Sequence, residues 1–211
     1  EGGHDLSAML EAITDKTRVV FVANPNNPTG TWLKSDALYQ FIKAVPERVV
    51  VVIDEAYFEY ANDPNANVDG YPDAMQWLAE FPNLVVTRTF SKAFGLAGLR
   101  VGYSVSSAMI ADLMNRIRPP FNVNTPAQIA AVTALADDEY LQQSLATNLA
   151  GMSQMTDAFR RMGLDFIPSI GNFVCVEVGD EAGVVYDALL QRGVIVRPVA
   201  NYGMPQHLRV S

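Results

Sequence analysis

Two runs of β-branched residues, VVFVAN (19–24) and VVVVID (49–54), fix most of what this chain can become. Short apolar runs of this kind form strands buried on both faces. Between them SDALYQFIKAV (35–45) places Leu38, Phe41, Ile42 and Val45 at helical spacing, with Ser35 as a candidate N-cap. Strand, helix and strand in that order make a β-α-β unit, whose strands run parallel. A helix near 73–80 and strands at LVVTRT (84–89) and GLRVGYSV (98–105) continue the pattern.

From residue 106 long helical segments take over: SSAMIADLMNRI, then TPAQIAAVTALA (125–136) with Pro126 in its first turn, then 139–163. In the last of these Leu145, Leu149, Met152, Phe159 and Met162 recur at threes and fours, a packing stripe. Strands at NFVCVEV (172–178), GVIVRP (193–198) and HLRVS (207–211), with a helix at 182–192, complete the chain. The expected fold class is α/β, with a mostly parallel large domain over 1–136 and a small α+β domain over 137–211.

The net charge of −8 argues against a general nucleic-acid binder, and no apolar run reaches the length of a membrane span. A single cysteine, Cys175, permits no internal disulfide; a reducing, cytoplasmic setting is the expectation. The chain begins at Glu1 and stops directly after HLRVS, which suggests a fragment of a longer protein.

In an open parallel sheet, ligands sit beyond the carboxyl ends of the strands. There this chain carries Asn24 and Asn27; then Asp54, Glu55, Ala56 and Tyr57; then Thr89, Phe90, Ser91 and Lys92; and Arg100 opens the GLRVGY strand. One crevice could gather an amide, a carboxylate, a phenol, hydroxyls and two cations. Asp-Glu after four valines is also the look of a nucleotide-hydrolysing strand, but no G-x-x-x-x-G-K-[ST] loop accompanies it.

NPNNPTG (24–30), DEAY (54–57) and TFSKAFGLAGLRVGY (89–103), in this order, resemble the fold-type I pyridoxal-phosphate (PLP) enzymes, the aspartate aminotransferase superfamily. The likeness runs from about residue 17 to the end. It implies a three-layer PLP-transferase large domain, of which this chain holds part. It further implies that Lys92 is the catalytic lysine that carries the cofactor aldehyde. Asp54 would face the ring nitrogen, Asn27 and Tyr57 the ring oxygen, and Ala56 one ring face. Thr89, Ser91 and Arg100 would take the phosphate, while Gly95, Gly98 and Gly102 ease close backbone approach. Arg209 corresponds to the carboxylate-binding arginine of the small domain, and Arg197 on the preceding strand is a candidate phosphate contact. Asn122 and Asn124 are weaker candidates for the same site. No metal is implied.

Within the superfamily, FVANPNNPTGTWL, VIDEAYFEYA, PPFNVNTPAQIAA and RGVIVRPVANYGMPQHLRVS look most like histidinol-phosphate aminotransferases. The implied reaction moves an amino group between histidinol phosphate and 2-oxoglutarate, in a homodimer of the full-length protein. Aromatic or other amino-acid aminotransferases, threonine-phosphate decarboxylases and a non-catalytic PLP-fold module share the motifs and stay open. Members of the superfamily run about twice this length. Their leading part supplies a phosphate-cradling helix N-terminus, a ring-stacking aromatic residue and much of the dimer surface, so weak PLP binding and exposed apolar surface are expected of this chain alone.

Overall fold

The computed structural model describes residues 2–211. Helix α1 (Leu6–Glu11) precedes β1 (Val19–Ala23), α2 (Ser35–Ala44) and β2 (Val50–Asp54). A short helix α3 (Phe58–Ala61) follows, then β3 (Leu84–Thr89) and β4 (Gly102–Ser106). These four strands form one sheet in the order β1-β2-β3-β4. The β1–β2 and β2–β3 pairs are parallel, as the β-α-β pattern requires, and β3–β4 is antiparallel. The last pairing has a simple cause. No helix carries the chain back after β3; it reverses through a turn at Ala97–Leu99, with Arg100 at φ +55°.

Helix α2 buries Leu38, Phe41 and Ile42 against Val22, Val51, Ile53, Leu84 and Val86. Helix α4 (Ala108–Ile117) covers the opposite face, where Ile110 packs on Val52 and Val85. Strand β2 is therefore sandwiched, as expected, but β1 is not. It lies at the sheet edge with Val19 and Phe21 45% and 69% exposed, so only one of its faces is closed. Two local expectations change as well. Ser35 is the first helical residue of α2 and makes no cap, because Lys34 occupies the N-cap position. The segment near 73–80 is a single 3₁₀ turn, Ala74–Trp77, capped by Asp73.

Helices α5 (Thr125–Leu135) and α6 (Asp138–Arg161) lead to a second sheet. Pro126 sits in the first turn of α5, as predicted. Strands β5 (Phe166–Ile167), β6 (Val174–Glu177), β7 (Arg197–Pro198) and β8 (His207–Val210) pair antiparallel in the order β5-β6-β8-β7. Helix α7 (Ala182–Gln191) and Phe159 of α6 close one face over Val176 and Leu208. The packing stripe of α6 is thus divided: Leu145 joins Tyr57, Tyr60, Ala93 and Phe173, while Phe159 serves the second sheet. Among the described residues no helix is long and apolar enough to cross a membrane.

The loop 24–33 is stapled from inside. Buried Asn24 accepts from the Leu33 amide at 2.8 Å and donates to the Leu33 carbonyl at 3.3 Å. Gly30, at φ +76°, meets the second sheet's approach loop: its carbonyl accepts from Ile170, and an added Cβ would lie 1.9 Å from Ser169 Oγ and 2.8 Å from Ser169 Cα. Gly30→Ala combines left-handed strain with overpacking and is expected to cost about 2–4 kcal/mol. Gly163→Ala, at φ +70° with open space around it, isolates the strain alone. Urea midpoints of the two variants check this, with Gly30→Ala clearly the lower.

Candidate active site

Past the carboxyl ends of β1, β2 and β3, Asn27, Tyr57 and Lys92 come together with Arg209 of β8, and Asp54 stands at the end of β2. Asp54 closes β2, in register with Thr87 of β3, and its Oδ1 accepts from Thr87 Oγ1 at 3.2 Å. Tyr57, three residues on, is buried. Its oxygen accepts from Asn27 Nδ2 at 3.0 Å. Phe173 meets its ring edge-on, with centroids 5.2 Å apart. Lys92 Nζ lies 5.1 Å from the centre of the Tyr57 ring. Arg209 Nη1 donates to Asn27 Oδ1 at 2.6 Å, although 182 residues separate the two in the chain. Its guanidinium stands 5.1 Å from the centre of the Phe173 ring. A continuous line, Arg209–Asn27–Tyr57 with Lys92 against the phenol ring, therefore spans the two sheets.

Arg209 pairs across the sheet with Cys175 on one side and with Arg197 on the other. Directly opposed residues share a face, so the two arginines belong to one row. Arg197 is exposed on the edge strand, whereas Arg209 is half-buried, with its Nε enclosed and without a hydrogen-bond partner. Burial pushes the Cys175 thiol up to about 11, opposed by the Arg209 charge, so this cysteine is an inert wall of the row and no nucleophile.

The hydroxyl-rich segment after β3 is folded on itself. Thr89 Oγ1 accepts from the Ser91 amide at 3.1 Å, and Arg100 donates to the Ala97 carbonyl at 2.9 Å. Gly102 is needed there, since a Cβ would lie 2.8 Å from the Arg88 carbonyl; Gly95 adopts φ +70°; Gly98 has open space around it, and nothing in the structure demands glycine at that position. Ala56 is half-buried beside Tyr57. Asn124 is used elsewhere: it caps α5 by accepting from the Ala127 amide. Asn122 accepts from Arg118, away from this line of contacts.

Sequence reasoning missed the polar cluster on the far side of β2. Glu55 is fully buried. It accepts from Arg88 Nε at 2.9 Å and Nη2 at 2.7 Å, and Arg88 also donates to Asp73 at 2.7 Å. Burial pushes the Glu55 carboxyl up to about 7, against the opposing charge of Arg88. Beside the cluster Tyr71 donates to the Asn24 carbonyl, and burial holds its phenol well above the ordinary value. The period of two along a strand was the available signal: if Asp54 faces the crevice, Glu55 faces away from it and needs a buried cation.

The sequence profile of the family described as "Aminotransferase class I and II" matches residues 1–211. This chain belongs to that family. It is 56% identical over 209 residues to histidinol-phosphate aminotransferase 1 of Nitrosococcus oceani, and 59% identical over 209 residues to histidinol-phosphate aminotransferase 2 of Methylococcus capsulatus. Each match covers 99% of this chain and 55% of the relative, so the chain spans about half the length of the curated relatives it matches. Among solved structures, the histidinol-phosphate aminotransferase of Sinorhizobium meliloti in complex with pyridoxal-5'-phosphate superposes with a TM-score of 0.89 at 33% identity. That superposition covers 99% of this chain and 57% of the other. A decarboxylase from Sulfurospirillum multivorans shares the fold, with a TM-score of 0.81 at 22% identity. The aminotransferase fold therefore does not by itself select a reaction.

Proposed function

We propose that the protein to which this chain belongs is a PLP-dependent aminotransferase that exchanges an amino group between histidinol phosphate and 2-oxoglutarate. The observation that carries the reading is the Arg209–Asn27–Tyr57 line with Lys92 beside it, which gathers an amine, a phenol, an amide and a cation from four chain segments. The relatives' names supply the substrate. The donor set suits the cofactor. When bound, PLP supplies an electron sink for negative charge developing at the substrate α-carbon.

The roles of the chain's own residues follow from their chemistry. Asp54 offers a fixed anion for a pyridinium proton. Asn27 donates to the Tyr57 oxygen, so the phenol's own proton is free to be donated to a ring oxygen. Phe173 holds the Tyr57 ring edge-on and limits its rotation. Lys92 is the amine that anchors the cofactor and moves the proton at the substrate carbon. Thr89, Ser91 and Arg100 lie in the segment assigned to the cofactor phosphate, and Ala56 keeps one ring face clear.

Arg209 pairs with the substrate anion, and its enclosed, unpartnered Nε is a donor suited to a carboxylate or phosphate oxygen. Arg197, in the same row, adds a second cation for the phosphate of the donor. One cationic site then accepts both histidinol phosphate and the dicarboxylate. The division into 1–136 and 137–211 assigns cofactor contacts to the first part and Arg197 and Arg209 to the second. The working form is a homodimer. Ile117, Phe121, Ile129, Val132 and Leu135, 59–96% exposed, support a partner on the α4–α5 side.

A panel of amino donors with 2-oxoglutarate, run on the full-length protein, tests the substrate. Histidinol phosphate is expected to exceed phenylalanine, tyrosine and aspartate by about 10² or more in kcat/KM, since a donor without the phosphate leaves the half-buried Arg209 and its neighbour Arg197 without the dianion they are proposed to hold. Equal or better turnover of an aromatic amino acid overturns the assignment.

A further inference from the structure

The cluster behind β2 joins three segments through one carboxylate. Glu55 Oε2 takes both Arg88 Nε and Nη2, while its Oε1 accepts from the Ala74 amide at 3.0 Å. Arg88 also reaches Asp73, and its Cζ lies 3.2 Å from the centre of the Phe58 ring. The turn after β2, strand β3 and the 3₁₀ turn at 74–77 are thereby tied together. The tie lies where the β2–β3 ladder ends. Glu55 N donates to the Thr87 carbonyl at 2.9 Å, and the Phe58 amide then turns the chain back onto the Glu55 carbonyl at 3.0 Å.

On one face Thr87 holds Asp54; on the opposite face Arg88 holds Glu55. We infer that the Glu55–Arg88 pair is a positioning device, which locks the 54–58 turn so that Asp54 and Tyr57 present to the same pocket. The inference rests on the functional reading above. Stability alone is a poor reason for such a pair, because well-packed apolar residues of similar volume commonly do as well as a buried ion pair. A fork with both Nε and Nη2 engaged instead fixes direction, which a greasy contact does not.

Two measurements test it, one of them independent of the cofactor. In the 211-residue chain without PLP, Glu55→Gln is expected to speed hydrogen exchange about tenfold at the amides of residues 55, 58 and 74, with Val176 and Leu208 of the second sheet unchanged. No change, or an equal rise at every amide, overturns the inference. With PLP added to the full-length protein, Glu55→Gln is expected to weaken binding about tenfold and to displace the visible absorbance maximum.

The double variant Glu55→Met/Arg88→Met separates positioning from support. It is expected to regain the parental urea midpoint while keeping the fast exchange and the weak PLP binding. If it regains all three, the pair is merely structural. Should Glu55→Gln not fold, Arg88→Lys, which keeps the charge and loses the fork, is measured at the same amides: faster exchange confined to residues 55, 58 and 74 supports positioning, and no change or a uniform rise overturns it. If the parent itself shows no PLP band, the functional reading fails, and the exchange measurement still decides the positioning role.

Discussion

Lys92→Ala is expected to eliminate the visible absorbance band that PLP develops with the full-length protein, and to reduce transamination by about 10⁴–10⁶-fold, the scale on which loss of a covalent-catalysis group acts. The structure gives the reason for so large an effect. Lys92 Nζ stands 5.1 Å from the centre of the Tyr57 ring, and Ala93, the next residue, is fully buried against Tyr57, Tyr60 and Phe173. The lysine is thus set by a rigid neighbour, and an added amine in solution has no comparable constraint. Lys16, Lys34 and Lys43 provide an internal comparison, since the chain has only these three other lysines. Lys34 is paired with Asp69 on the surface at 3.1 Å, and Lys34→Ala is expected to leave the band intact. A band that persists in Lys92→Ala removes the covalent assignment altogether.

Asp54→Asn is the second large effect. The change keeps the shape of the side chain and its contact with Thr87 Oγ1, but removes the negative charge proposed to face the cofactor's ring nitrogen. An anion placed where positive charge must be held is among the largest single electrostatic contributions in an active site, so kcat is expected to fall about 10²–10³-fold or more, with the fold intact. Thr87→Val, which removes only the hydroxyl that orients the carboxylate, is expected to lose about tenfold, the scale of one hydrogen bond to a charged group. Steady-state kinetics and the urea midpoint of each variant, measured together, separate the two contributions. If Asp54→Asn turns over like the parent, the acid is not the partner of the ring and the motif reading fails at its centre.

These residues are legible in the sequence to an uneven degree. Asp54, Lys92 and Asn27 lie at or just beyond strand ends in short motifs, and the likeness of those motifs to the family singles them out. Arg209 is found by likeness, but its contact with Asn27 is not, because those residues lie 182 positions apart and meet only when the second sheet docks. Arg88 escapes notice because it looks like an ordinary surface charge, and Glu55, grouped in the sequence with the crevice residues, is turned by strand alternation to the opposite face, where the two meet. The exposed edge of β1 is hidden because a β-branched run reads the same on an edge strand as in a covered one. Gly98 resembles its neighbours as a tight-approach glycine, but open space around it cannot be seen in a sequence.

Local sequence determined the β-α-β order, the parallel direction of its strands and the acid, amide and amine at their carboxyl ends, since each depends on side-chain periodicity within a few residues. The tertiary structure alone decided which groups meet. It brought an arginine of the last strand onto an asparagine of the first loop, and buried one carboxylate of an adjacent pair while exposing the other. Both outcomes depend on packing between segments far apart in the chain, where the free energy of contact is set by shape and burial and leaves no local trace in the order of residues.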